Sequence, residues 1–229
     1  MAKICIDAGH GGNDPGAVYK GRKESDDNLA LGKAVAAELR RHGVLVDETR
    51  TEDKTVSLAA RSNLERKGSY DYFISFHRNA FRPEQAKGVE TYTYLNPGAK
   101  GKGLADKIQN ALVGVGFTNR GVKAANFHVL RETKAPAVLV EVGFIDNSKD
   151  NQLFDGKRNE IITAITKAIL SQLGVKYMPI TSSKPSQKQG NKTLYRVMAG
   201  SYANRGNAEK QVERLKKAGF DATIMIHRP

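Results

Sequence analysis

The strongest constraint on this chain is an alternation of short apolar runs with segments whose apolar residues recur at helical spacing. Ile4, Cys5 and Ile6 make the first run, closed by Gly9-His10-Gly11-Gly12, and Leu29, Val35, Ala36 and Leu39 follow before Gly43. Val44 to Val46 reads as a second strand. Val56 to Arg66 reads as a helix carrying Leu58 and Leu64, and Tyr70 to Phe76 as a strand ending at His77. Val89 to Leu95 alternates around Tyr92 and Tyr94, and Leu104, Ile108 and Leu112 mark another helix. Ala137 to Val142 is an apolar strand with Glu141 inside it. A last helix over Arg158 to Leu173 carries the stripe Ile161, Ile162, Ile165, Ile169 and Leu170. The alternation predicts an α/β fold, a largely parallel twisted sheet with helices on both faces. Such sheets bind ligands beyond the carboxyl ends of their strands, so His10 and His77 are predicted to converge there.

The text changes after residue 175. From Lys176 to Thr193 it is Pro, Ser, Thr and Gln with lysines and no acids, the composition of a flexible linker. Beyond it, Leu194 to Tyr202 reads as a strand, Asn207 to Ala218 as an amphipathic helix and Ala222 to Ile226 as a strand, a small C-terminal β-α-β repeat. The division is therefore 1–175, 176–193 and 194–229. A repeat this short rarely buries enough apolar surface to fold alone, so it is expected to dock on the main domain or to form a homodimer with a second copy.

Composition narrows the partners. A formal charge of +13 favours polyanions, either nucleic acid or anionic cell-wall polymers. Cys5 is the single cysteine, so no internal disulfide forms. Asp7 interrupts the stretch where a signal peptide would be apolar, and no later segment reaches spanning length. The expectation is a protein made in the cytoplasm without a signal peptide and without stable membrane insertion. His42 and His227 read as surface residues, and His128 as structural.

Hydrolytic zinc takes three ligands of the His and Glu type and keeps one position for water. His10, Glu24 and His77 offer that set, Glu24 from the loop after the glycine turn, and Glu141, an acid on an apolar strand, suits a general base. Spacing alone leaves the alternatives open. A strand-end histidine also serves as a hydrogen-bonded structural residue, and Glu24, beside Arg22, Lys23, Asp26 and Asp27, as a solvated loop acid.

Three motifs together go further. Asp7-Ala8-Gly9-His10-Gly11-Gly12-Asn13-Asp14-Pro15-Gly16-Ala17, Ser75-Phe76-His77-Arg78-Asn79-Ala80 and Pro136 to Asn147 resemble, in order and over residues 1 to 175, the type 3 family of N-acetylmuramoyl-L-alanine amidases. The resemblance implies one zinc ion on His10, Glu24 and His77, with Glu141 activating water to cut the amide between the glycan and peptide of peptidoglycan. It gives Asn79 a role in orienting substrate or His77, and sets Arg131 beside the cleft, where it would hold a peptide carboxylate. Arg78 departs from the small or uncharged residue usual there, which puts subsite chemistry in question. Leu194 to Tyr202, Asn207 to Glu209 and Ala218 to Ala222 resemble one repeat of the peptidoglycan-binding SPOR domain. Together these favour peptidoglycan over nucleic acid as the polyanion. They imply a cell-wall lytic enzyme reaching the wall after holin-mediated release, as a phage endolysin, or after lysis of a sporulating mother cell, as an autolysin. The rivals are a catalytically dead wall-binding protein and a zinc peptidase acting inside the stem peptide.

Overall fold

In the computed structural model, which describes residues 1–179 and 199–225, the chain enters through β1 (Lys3–Ala8) and a small hairpin of β2 (Val18–Tyr19) and β3 (Arg22–Lys23). It continues through α1 (Glu24–Arg41), β4 (Leu45–Glu48), α2 (Leu58–Lys67), β5 (Tyr72–Asn79), β6 (Val89–Thr93) and α3 (Gly98–Val115). Then come β7 (Asn119–Ala124), α4 (His128–Arg131), β8 (Ala137–Phe144), α5 (Ser148–Gly156) and α6 (Arg158–Leu173). The chain divides into two compact units, Met1–Ile180 and Thr181–Pro229.

The main sheet has the order β4-β1-β5-β8-β6-β7. All neighbours run parallel except β6 and β8, whose antiparallel pairing sets Glu90 opposite Glu141. This is the largely parallel α/β sheet that the alternation predicts. Its central strands are buried on both faces, which is why they read as continuous apolar runs rather than alternating ones. Ile4, Ile6 and Ile74 point into one layer with Leu31 and Val35 of α1, Ile108 of α3 and Ile165 of α6. Cys5 and Phe73 point the other way, onto Val129, Leu130 and Leu64. Each such aliphatic side chain contributes about 1.5–3 kcal/mol on burial. The parity that alternates these residues also sends Asp7, His77 and Glu141 to the second face and Arg78 to the first.

Several elements depart from their sequence reading. Glu24 opens α1 rather than sitting in a loop, because the β2/β3 hairpin absorbs the intervening residues and returns the chain early. The buried face of α2 is Arg61, Ser62 and Glu65, while Leu58 is exposed. Glu65 explains part of this, since its carboxylate accepts from the backbone N–H groups of Lys134 and Ala135. His42 is buried, not superficial. It stacks on Tyr177 and accepts from the Met178 N–H, and Val175 and Tyr177 pack on the core, so the first residues of the expected linker are held against the main unit. His227 lies outside the described residues.

The second unit is described through α7 (Arg205–Lys217), capped by the Asn204 side chain. Ala199 to Tyr202 and Ala222 to Met225 are not strands, and 194–198 and Ile226 lie outside the described residues. Among the described residues of this unit only the helix of the expected β-α-β repeat forms, and the rest of the two expected strands lies outside them. Strands need a partner for their backbone groups, whereas a helix satisfies its own. No helix among the described residues is long and apolar enough to cross a membrane.

Candidate active site

β1, β5 and β8 deliver the chemistry side by side. Gly9 follows β1 closely enough to the His77 ring that a Cβ there would sit 2.2 Å from Cε1, so only glycine lets the turn pass. His10 then takes a left-handed backbone with φ 60°. Its ring meets the His77 ring edge to face at 5.0 Å.

Glu24 stands between the two histidines. Its Oε1 lies 2.9 Å from His77 Nδ1 and 3.3 Å from His10 Nε2, and it also accepts from Asn28 Nδ2 and the Arg78 N–H. Oε2 accepts from the Ala17 N–H at 2.9 Å. On the far side of His10, Asp14 Oδ2 lies 2.8 Å from Nδ1, which places the ring proton there and frees Nε2. One donor atom from each of His10, Glu24 and His77 falls within 4.8 Å of the others.

The charges of this trio are far from ordinary. The bond to Glu24 lifts His10 to about 9 against the opposing effect of burial, with Asp14 adding to it. Burial would lower His77, but Glu24 and Glu141 more than reverse it. Burial would likewise raise Glu24, yet the two histidines hold it well below the usual carboxylate range. With its Nδ1 proton on Asp14, a neutral His10 would aim its Nε2 lone pair at the carboxylate, so that contact calls for positive charge, from a second proton or from one divalent cation, whereas His77 can donate to Glu24 from Nδ1 while neutral. Two imidazoles and one carboxylate are the ligand types of hydrolytic zinc, and the set fits that ion.

Glu141 faces the same space from β8, in register with His77. Its Oε2 is shut off from solvent and has no hydrogen-bond partner among the described residues. Burial, with Glu24 and Glu90 adding repulsion, pushes its carboxyl up to about 7. A cleft of about 470 Å³ opens over these groups, with Val56, Leu58, Phe127 and Val129 along its wall. Leu58 and Phe127 are more than two-fifths exposed there.

The remaining expected residues are placed differently. Asn79 does not reach His77; its Nδ2 donates to Glu90 Oε1 at 2.6 Å. Arg131 is occupied by Glu132 and Asn126, and it is not among the residues lining the cleft. Arg78 lies on the opposite face of the sheet, over the Phe154 ring at 4.1 Å and paired with Asp27 at 2.6 Å, so it does not alter a subsite. His128 lines the cleft with its Nε2 3.2 Å from Ser62 Oγ.

Two groups escaped the sequence reading. Asp14 stood only as a member of the first motif, with no role of its own. Glu90 is buried at the β6/β8 junction, where Asn79, Tyr92, Arg120 and Lys123 converge on it. Its signal was an acid beside the alternating Tyr92 and Tyr94, but locating it beside Glu141 needs the antiparallel register.

Against known proteins, the profile described as N-acetylmuramoyl-L-alanine amidase matches residues 4–171, and the SPOR domain profile matches residues 164–225. A sporulation-specific N-acetylmuramoyl-L-alanine amidase of Bacillus subtilis is 34% identical over 230 residues, covering 99% of this chain and 85% of the relative. An endolysin of Bacillus phage SPP1 is 37% identical over 186 residues, covering 77% and 68%. Among solved structures, the catalytic domain of CwlV, an amidase of Bacillus (Paenibacillus) polymyxa, is 34% identical with a TM-score of 0.71, covering 77% of this chain and all of that one.

Proposed function

Since this chain belongs to the N-acetylmuramoyl-L-alanine amidase family and is an enzyme of that activity on the bacterial cell wall, we propose that it cuts the lactyl amide through one zinc ion held by His10, Glu24 and His77, with Glu141 as general base. The observation that carries this reading is the three-donor cluster with the unpartnered Glu141 Oε2 beside it. Zinc, when bound, supplies Lewis acidity, polarising a carbonyl and making water acidic near pH 7.

The protein's own groups do the rest. Asp14 fixes the His10 ring and its Nδ1 proton, so that Nε2 would be the atom to hold an ion. Glu141 takes the proton of the attacking water and hands it to the nitrogen of the departing L-alanine, so that water adds across the C–N bond. The products are a glycan carrying a free lactyl carboxylate and a stem peptide with a free amino terminus. The exposed apolar wall of Leu58 and Phe127 receives the substrate and limits water around the reacting amide.

In this reading residues 1–175 form the catalytic domain, 176–193 a linker and 194–229 a wall-binding repeat; the SPOR profile, matching residues 164–225, supports wall binding by this end of the chain. The positive charge of +13 adds attraction to anionic wall polymers. Release of a phage or of a spore both suit such an enzyme, and relatives of both kinds exist. The endolysin reading requires holin-mediated access to the wall. The mother-cell autolysin reading is favoured by the 99% coverage of this chain by the sporulation-specific relative.

Mass spectrometry of digested wall tests the chemistry. New amino termini on L-alanine, with intact glycan, are expected, and chelation should abolish them until zinc is restored. New termini inside the stem peptide would instead identify a peptidase, and no cleavage by metal-loaded protein would identify a dead wall binder.

A further inference from the structure

The left-handed His10 needs an explanation, because a histidine rarely adopts φ 60° unless its surroundings impose it. The three successive carbonyls of Ala8, Gly9 and His10 are all held by two guanidinium groups from separate elements. Arg61 of α2 donates through Nη1 to Ala8 O at 2.7 Å and through Nη2 to His10 O at 2.8 Å. Arg50, just after β4, donates through Nε to Ala8 O at 2.9 Å and through Nη2 to Gly9 O at 2.9 Å.

Arg50 has a further partner that bears on the site. The same Nη2 donates to Ser25 O at 2.7 Å, so one side chain ties the backbone before His10 to the residue after Glu24. Arg61 has a buried carboxylate to balance it, Asp7 at 2.6 Å, and Asp7 is completed by Thr49 and Ser75. Arg50 has no carboxylate partner among the described residues, yet it is 2% exposed. A buried cation supported mainly by carbonyls is costly to keep, and its carbonyls belong to the two donor-bearing segments.

We propose that Arg50 and Arg61 are positioning residues of the metal centre: by gripping the Ala8-Gly9-His10 carbonyls and Ser25 O they hold His10 and Glu24 at ligating separation and thereby set metal affinity. The proposal rests on the zinc reading above. Lysine keeps the charge but loses the planar fork, so it reaches fewer of these acceptors at once. Partners that orient metal ligands typically change affinity about 10–100-fold when altered, and that loss is expected for Arg61→Lys and Arg50→Lys.

The full-length protein, stripped by chelator, is titrated with Zn2+ against a colorimetric competitor, and the visible spectrum of the Co2+ form reports ligand geometry. Leu112→Ala, buried in α3, which packs on α6, β6, β7 and β8, serves as a variant that loses stability without removing a hydrogen bond to the Ala8-Gly9-His10 or Ser25 carbonyls. The expected result is weakened Zn2+ binding and an altered Co2+ spectrum in both lysine variants, with wild-type values in Leu112→Ala. Wild-type affinity and spectrum in either folded lysine variant would overturn that residue's role. Equal losses in Leu112→Ala, or failure of both lysine variants to fold, would reduce both arginines to general supports of the fold. Wild-type protein that binds neither ion would sink the zinc reading itself.

Discussion

Replacing Glu141 by glutamine should slow the enzyme and stabilise the metal-free protein at the same time. The carboxyl sits near 7 in the fold, against an ordinary 4.5, because burial and the nearby Glu24 and Glu90 disfavour its charge. At 1.36 kcal/mol per tenfold change in a proton equilibrium, that difference amounts to about 3 kcal/mol. Between pH 4.5 and 7 the folded state keeps a proton that the unfolded state releases, so stability falls as pH rises, and the whole penalty is present above pH 7. Glutamine carries no charge to bury. The metal-free variant should therefore unfold at a higher temperature than wild type at pH 8, by about 2–4 °C for each kcal/mol in a chain of this length, and lose that advantage at pH 4. Turnover of the zinc-loaded variant should fall by about 10²–10⁴, the usual contribution of general acid-base catalysis. Calorimetric scans at the two pH values and a muropeptide cleavage assay measure both effects. Equal unfolding temperatures at pH 8, or turnover within tenfold of wild type, would refute the reasoning.

The metal-free protein should also lose the contribution of His10, held near 9 by Glu24, as pH rises from 6.5 through 9, whereas His10→Ala should lack that loss. Zinc must displace the same proton, so its apparent affinity should climb with pH over that interval, and proton release on titration in weak buffer checks it. Arg78→Met should cost about 2–4 kcal/mol in urea unfolding, since it strips buried partners from Asn151 Oδ1 and Phe144 O and one of two arginines from Asp27, while KM for soluble muropeptide stays at the wild-type value. A raised KM would return Arg78 to the cleft. A chain ending at Pro179 should cleave soluble muropeptide normally but bind whole walls more weakly, with the deficit growing as salt screens the remaining charge attraction. Equal wall lysis by both forms at every salt level would strip the C-terminal repeat of its role.

The parts of this molecule legible in its sequence are those set by local pattern. The α6 stripe from Ile161 to Leu170 and the apolar runs of β1 and β8 announce themselves because burial dictates their periodicity. His10 and His77 were legible as strand-end residues because a parallel sheet gathers such ends on one side. What stayed hidden depends on pairing between distant elements: Glu90 reaches Glu141 only through the one antiparallel junction, and α2 hides Arg61 and Glu65 while exposing Leu58, the reverse of a hydrophobic reading. Where the positive charge sits was hidden for the same reason. A total of +13 treats every arginine as surface charge available to a polyanion. Arg50, Arg61 and Arg78 are instead buried, bonded to backbone carbonyls around the two donor-bearing segments and the β8 end. Their charge is spent inside the fold, where a planar fork with five donors can hold several carbonyls in fixed directions, which a surface lysine or a hydrophobic side chain cannot do. In the proposed reading any attraction to an anionic wall rests on the exposed lysines and remaining arginines, while Arg50 and Arg61 hold the donor-bearing segments and Arg78 holds the end of β8.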